Sequence, residues 1–256
     1  MTGLRQVTGT AGVLLAPNAG PMTLEGTNTW VLRAPGEDSC VVVDPGPLDE
    51  GHLAEVAATG PVAVVLLTHG HADHSAGAGR LAELTGASVR ALDPAHRLGE
   101  QGLGEGDVVA AAGVELRVLA TPGHSADSLS FVLAGQDGGD AAVLTGDTIL
   151  GRGTSVVAHP DGRLGDYLDS LCRLRELGER TVLPGHGPEL PSAGMAAEHY
   201  LRHREARLEQ VREALAAGAS SPQQVVASVY ADVDRSLWPA ALLSVRAQLD
   251  YLADRD

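Results

Sequence analysis

Thr68-His69-Gly70-His71-Ala72-Asp73-His74 places four ligand-type side chains within six residues. The segment before it, Pro61 to Leu67, is apolar, rich in Val and too short for a helix, so it reads as a buried strand. The cluster therefore starts a loop at the C-terminal edge of that strand. While the chain is still extended, alternate residues His69 and His71 point the same way. Asp73 and His74 follow as the chain turns and can face a second centre. Imidazole and carboxylate are suitable ligands for Zn²⁺, Fe or Mn. A single His is most often a surface residue or a satisfied core residue. Four His and Asp residues buried together without an ion would carry a heavy desolvation burden.

Three further residues recur in the same context, each at a strand end beside Gly or Pro. Val114 to Leu119 alternates apolar and polar residues, as a half-buried strand does, and leads into Thr121-Pro122-Gly123-His124. Ala141 to Leu144 leads into Thr145-Gly146-Asp147, and Thr181 to Leu183 into Pro184-Gly185-His186-Gly187. Small neighbours let backbone and metal approach each other. Seven residues then converge: His69, His71, Asp73, His74, His124, Asp147 and His186. His52, His96, His159, His199 and His203 lack this context and read as ordinary surface or core residues.

The rest of the chain fits a frame for this loop set. Cys40 to Val43 is a short buried strand running into the turn Asp44-Pro45-Gly46, and Leu129 to Leu133 is another strand. Arg80 to Leu84 reads as helix, and Tyr167 to Leu177 as an amphipathic helix with Leu168, Leu171, Leu174 and Leu177 on one face. Beyond about Pro191 only helices are expected. Leu201, Leu208, Val211 and Leu215 mark one, and Leu242, Val245, Leu249 and Leu252 the last. Ser221-Pro222-Gln223-Gln224 reads as a helix start, with Ser as cap, Pro first and Gln three residues after the cap. The chain thus divides into residues 1–191, alternating strands and helices, and 192–256, a small helical subdomain ending soon after its last helix.

Composition narrows the function classes. Hydrophobic residues make up 44% of the 256, enough for a sizeable core, but no run approaches a membrane span. Met1 to Thr10 shows no secretion signal, and two cysteines make no disulfide framework, which favours the cytoplasm. Cys40 and Cys172 read as small buried hydrophobes. All 18 basic residues are Arg, and the net charge is −15. So acidic a protein does not draw polyanions by its bulk field. Arg202, Arg204, Arg207 and Arg212 are balanced by Glu198, Glu205, Glu209 and Glu213, so this helix reads as a solvated face rather than an RNA-binding stripe.

His-x-His-x-Asp-His with the later His, Asp and His resembles the signature of the metallo-β-lactamase superfamily, over about Met22 to Pro188. The resemblance implies an α/β fold, a four-layered αββα sandwich, with a small helical, winged-helix-like subdomain at the C-terminus. It implies a pair of divalent ions, Zn²⁺ first, with Fe and Mn as alternatives. His69, His71 and His124 would hold one ion and Asp73, His74 and His186 the other, with Asp147 as bridge. Asp44 would support the metal loop from behind, and Asp73 would also act in catalysis by orienting the attacking hydroxide. Within the superfamily, Pro21 to Trp30, Gly151-Arg152-Gly153-Thr154 and Pro184 to Pro188 resemble the beta-lactamase-like protein 2 subfamily. That resemblance implies a phosphodiesterase that cuts single-stranded RNA, with Arg152 and Thr154 as substrate contacts. For Arg152, pairing with an acidic neighbour is an equally good expectation.

A thioesterase similar to glyoxalase II is the alternative, acting on a small ester or thioester; a β-lactamase is disfavoured because no thiolate stands among the ligands. A non-catalytic scaffold is disfavoured because structural sites are closed and usually hold one ion. In the enzyme readings the paired ions lower the pKa of a shared water and stabilise the charge that develops in the transition state. No membrane partner is expected, and the sequence carries no signal for an oligomeric state.

Overall fold

The computed structural model describes residues 3–135 and 141–255; Met1, Thr2 and Asp256, the ends of the chain, lie outside the described residues. Six strands, β1 (Arg5–Gln6), β2 (Ala11–Leu15), β3 (Asn28–Leu32), β4 (Cys40–Val43), β5 (Val62–Leu66) and β6 (Ser88–Arg90), pair in sequence order. Five more, β7 (Val108–Ala111), β8 (Val114–Ala120), β9 (Leu129–Leu133), β10 (Ala142–Gly146) and β11 (Thr181–Pro184), form a second sheet in the order β11-β10-β9-β8-β7. Helices α1 (Glu50–Ala57), α2 (Ala72–Ser75) and α3 (Ala78–Thr85) accompany the first sheet, and α4 (Leu164–Arg175) and α5 (Ala193–Ala216) the second. Helices α6 (Pro222–Val229) and α7 (Trp238–Ala253) complete the tail.

Side-chain alternation sorts the core into layers. Trp30, Val43, Leu66, Leu116, Phe131 and Leu144 meet between the two sheets. The opposite face of the first sheet, with Val31, Val42 and Val65, packs on Leu53 and Val56 of α1 and Leu81 of α3. The opposite face of the second, with Val132, Val143 and Val182, packs on Tyr167 and Leu171 of α4 and Ala197 and Tyr200 of α5. The result is the expected αββα sandwich. The parallel pair β4 and β5 is buried on both faces, which is why Cys40–Val43 and Val62–Leu66 read as near-continuous apolar runs. Strand β8 shows the other pattern, with Val114, Leu116 and Val118 inward and Glu115 and Arg117 outward.

Strand direction decides where the chemistry collects. Strand β9 is antiparallel to both β8 and β10, and β10 is parallel to β11, so the C-terminal ends of β8, β10 and β11 share one edge. In the other sheet, the C-terminal ends of β4 and β5 share an edge. The two edges are tied together by Leu129 N–H donating to Thr68 O at 2.7 Å and Asn28 N–H donating to Gly185 O at 2.8 Å. Thr145 and Gly146 belong to β10 and Pro184 to β11, so two of the strands run into the motifs themselves.

The tail departs from its expected details. Helix α5 begins at Ala193, capped by Ser192, whose hydroxyl accepts from Met195 N–H at 3.2 Å. Its inward face is Ala197, Tyr200, Arg204, Leu208, Val211 and Ala214, whereas Leu215 is 39% exposed. Arg204 is thus buried, not part of a solvated face: its aliphatic stem extends the apolar stripe and its guanidinium lies over the Tyr167 ring at 4.9 Å. Ser221 caps α6 as expected, but Gln224 Oε1 accepts from Ser220 N–H rather than from the cap residue's own N–H. Val225, Val226 and Val245 form a small core with Val211 of α5. Cys40 is buried and Cys172 only half-buried, because α4 turns that position partly outward.

Phe131, the one Phe of the chain, is fully buried between the sheets. Phe131→Ala is expected to lower unfolding free energy by about 3–5 kcal/mol through lost transfer energy and the cavity left behind. Urea unfolding checks this; a loss below about 1 kcal/mol would show that the two sheets do not share this core.

Candidate metal centre

Four segments that follow strands deliver the side chains. His69 and His71 leave β5, Asp73 and His74 sit in α2, His124 follows β8, Asp147 follows β10 and His186 follows β11. Four of the five imidazoles, those of His69, His74, His124 and His186, share one arrangement. His74 Nδ1 lies 2.9 Å from Asp44 Oδ2, His124 Nδ1 2.7 Å from Val156 O, and His186 Nδ1 3.1 Å from Gly26 O. His69 Nδ1 lies 3.0 Å from Thr68 Oγ1, whose own proton goes to Asp44 Oδ2 at 2.6 Å. Each acceptor holds the Nδ1 proton of its ring, which leaves the Nε2 lone pair aimed at the shared space.

Those lone pairs meet at contact distance. His74 Nε2 is 3.2 Å from His186 Nε2, and His71 Nδ1 is 3.1 Å from His69 Nε2 and 3.0 Å from His124 Nε2. Asp147 lies between the two groups. Its Oδ1 is 3.3 Å from His74 Nε2 and 3.4 Å from His186 Nε2, and its Oδ2 is 3.7 Å from His124 Nε2. Oδ1 is nonetheless buried without a hydrogen bond. Asp73 Oδ2 stands 3.2 Å from His186 Nε2. Imidazole nitrogens facing one another, with an orphaned carboxylate oxygen among them, fit cation binding. Three donor groups could hold a metal: His69, His71 and His124; His69, His74 and Asp147; and Asp73, His74 and His186.

The electrostatics agree. Burial, with His74 and His124 as like neighbours, drives His69 well below its usual pKa, and burial lowers His124 too. At His74 burial is overcome by the carboxylates of Asp147 and Asp44, which raise it well above the ordinary value. At His186 it is overcome by Asp147 and Asp73, which raise it to about 9. Asp147 stays ionised despite burial because His74 and His186 hold its carboxyl well below the usual range. The side containing Asp73, His74 and His186 is therefore where positive charge is most strongly favoured.

Asp44 orders this arrangement from behind. It is buried, sits at φ +52°, and accepts from Thr68 N–H at 2.8 Å as well as from Thr68 Oγ1 and His74 Nδ1. Glycine makes room on the far side: a Cβ at Gly185 would lie 2.7 Å from both Asp147 Oδ1 and His74 Cε1. Gly123, at φ +131°, passes so close to the Tyr167 backbone that no side chain fits there.

His124 and Asp147 also line a cavity of about 320 Å³ that runs from the metal-loop edge to the tail helices. The donor set is thus open on one side, unlike a closed structural site. Arg152 and Thr154 stand on its wall, and Arg152 is paired with Glu25, the acidic neighbour expected for it as one of two alternatives. Arg204, expected on a solvated face, His203, expected as an ordinary surface or core residue, and Ser155, which the sequence did not single out, line the same cavity. Ser155 Oγ lies 3.1 Å from His124 Nδ1. For Arg204 a signal existed: with Ala197, Tyr200, Leu208 and Val211 it completes one helical face. His52 reads as foreseen, a buried His bonded to Thr29 Oγ1 at 2.8 Å.

Comparison with known proteins follows the same line. The sequence profile described as the Metallo-beta-lactamase superfamily matches residues 22–186. The chain belongs to the metallo-β-lactamase superfamily. Residues 221–256 match the beta-lactamase associated winged helix domain, of which the described residues here form helices only. The chain is 30% identical to the beta-lactamase-like protein 2 homolog of Caenorhabditis elegans, over 93% of this chain and 82% of that one. It is 34% identical to the atrochrysone carboxyl ACP thioesterase of Aspergillus fumigatus, over 79% of this chain and 64% of that one. It spans 66% of the length of lactamase-like protein adaB of Aspergillus niger, at 33% identity. Among solved structures, a beta-lactamase domain protein from Burkholderia ambifaria aligns at TM-score 0.81, with 24% identity, over 98% of this chain and 88% of that one. TTHA1623 in a di-iron-bound form aligns at 0.56, with 28% identity, over 72% and 97%.

Asp44→Ala leaves the Thr68 N–H, the Thr68 hydroxyl and His74 Nδ1–H without an acceptor, each costing about 1–3 kcal/mol. The variant is expected to unfold at lower urea and to bind metal about 10–100-fold more weakly. Competition with a fluorescent chelator measures the second effect; unchanged affinity would remove Asp44 from the support of the site.

Proposed function

We propose that this chain is a metal-dependent hydrolase that cleaves a small acyl substrate, a thioester or ester, at a site for two ions. The observation that carries the reading is the cavity. It opens onto His124 and Asp147 and is walled by Leu24, Leu150, Val156 and Tyr230. A concave, mostly apolar space of this size suits a small molecule. The thioesterase relative supports the reaction type, and the di-iron-bound neighbour supports the paired ions.

His69, His71 and His124 would hold one ion, Asp73, His74 and His186 the other, and Asp147 would reach both, since its two oxygens face the two groups. When bound, the ions supply a nucleophile at neutral pH and polarise the substrate carbonyl. The protein's own residues do the rest. Asp44 and Thr68 fix the tautomers of His74 and His69, so the Nε2 lone pairs stay directed inward. Asp73, partly exposed and held below the usual carboxyl pKa despite its burial, is an acceptor placed to take the proton of the attacking water. The apolar wall excludes bulk water from the acyl group.

Cleavage of single-stranded RNA is the second reading. It is favoured by the near-full-length similarity to the beta-lactamase-like protein 2 homolog and by Arg152 and Thr154 on the cavity wall. Against it stands the net charge of −15.

The purified enzyme is expected to hydrolyse short-chain acyl thioesters, to lose that activity on chelation and to regain it with Zn²⁺, Fe or Mn. Asp147→Ala is expected to lower turnover at least about a hundredfold. A parallel assay uses a labelled single-stranded RNA. RNA cleavage without thioester turnover by metal-loaded enzyme would reverse the order of the two readings.

A further inference from the structure

Arg204 and Arg207 line the wall of the cavity that the tail contributes, one turn apart on α5, together with His203. Arg204 is 2% exposed. Its Nη2 donates to Ser155 O, its guanidinium stacks on Tyr167, and its Nε is buried without a hydrogen-bond partner. Arg207 donates from Nη1 to Gln210 Oε1 at 2.9 Å and to Val229 O at 2.8 Å, and lies over the Tyr230 ring at 4.6 Å. Among the described residues, neither guanidinium has a carboxylate within ion-pair distance. The chain has 33 acidic residues against 18 arginines, so unpaired cations are not the expected outcome of its composition. Eight other arginines among the described residues bear this out: Arg5, Arg80, Arg152, Arg163, Arg173, Arg175, Arg202 and Arg212 each pair with an acidic side chain.

A buried cation without a counter-ion is costly. The cost is visible next door: burial and the adjacent Arg204 and Arg207 push His203 down to about 4, and its Nδ1 is buried without a partner. Two guanidiniums that, among the described residues, have no carboxylate partner line the same cavity as His124 and Asp147, and this combination suits an anion subsite.

We infer that Arg204 and Arg207 receive the anionic terminus of the substrate, a carboxylate or phosphate carried on an apolar body whose scissile group lies at the metal centre. The inference rests on the proposed reading that this cavity receives the substrate, and it deepens that reading by naming a substrate class: acyl compounds with a distal negative charge. Arg152, already paired with Glu25, is not part of this subsite.

Calorimetric titration of the metal-loaded protein with succinate, adipate and suberate, each paired with butyrate, hexanoate or octanoate, tests the subsite without turnover. At least one diacid is expected to bind about tenfold or more tighter than its monoacid. That ratio is expected to collapse towards one in Arg207→Met, to persist in Arg204→Lys, which keeps the buried charge, and to persist in Arg212→Met, a surface arginine paired with Glu209. Short phosphomonoesters on the same chains form a second arm that separates phosphate from carboxylate. Matched adipoyl and hexanoyl thioesters give the kinetic counterpart, with the preference appearing in kcat/KM. Thioester turnover with no diacid preference would overturn the subsite and leave the proposed activity standing. Diacid selectivity that depends on Arg207, with no thioester turnover, would keep the subsite and overturn that activity. Displacement of a bound dye by single-stranded oligoadenylate but by no diacid would overturn the small-molecule assignment.

Discussion

Nitrogen lone pairs that face one another across about 3 Å can share a space only around positive charge. The metal-loop edge of this protein is built on that constraint. In His69, His74, His124 and His186 an outward acceptor fixes Nδ1, so Nε2 has nowhere to point but inward; His71 turns its Nδ1 inward instead. The acceptors come from the whole fold: Asp44 from the end of β4, Gly26 from the approach to β3, and Val156 from the loop after β10. The site cannot be assembled unless both sheets are in register and their edges meet. The apolar interior does that work, through Trp30, Val43 and Leu66 on one side and Leu116, Phe131 and Leu144 on the other.

Function follows from which side of this arrangement is left open. Asp44 and Thr68 close it from behind. Towards the tail it meets the cavity, where apolar residues of the β10 loop, the N-terminal loop and the tail helices form walls. The tail therefore lines that cavity as well as extending the chain. It contributes Tyr230, Arg204 and Arg207, neither arginine having a carboxylate partner among the described residues, and it is anchored to the sandwich by Tyr200, whose hydroxyl accepts from Leu150 N–H at 2.9 Å.

The ligand cluster was legible in the sequence because its rule is local. A strand end, a small neighbour and a His or Asp can all be read within a few residues, and His69, His124, Asp147 and His186 each follow that rule. Asp44 was assigned its place through family resemblance, since nothing near it in the chain announces that it accepts from Thr68 and His74. The layered fold was legible where strands are buried on both faces or alternate cleanly, as in β4, β5 and β8. Strands β1, β6 and β7 were not, because they are short and hold few inward residues, and β2 was not read from the sequence either. Arg204 was misread because charge was counted along the helix, while burial depends on which face meets Tyr167 and Ser155. The cavity could not be read at all, since its lining is drawn from segments far apart in the chain.

The central claim is that the converging donors hold a pair of ions, bridged by Asp147. Elemental analysis of protein purified without chelators, expressed as metal per folded chain, tests it most directly. The account predicts about two ions per chain in the wild type and about one in variants that remove a donor from a single group, such as His71→Ala or His186→Ala. A reproducible value near zero in folded, untreated protein would contradict it, as would a wild-type value that these substitutions leave unchanged.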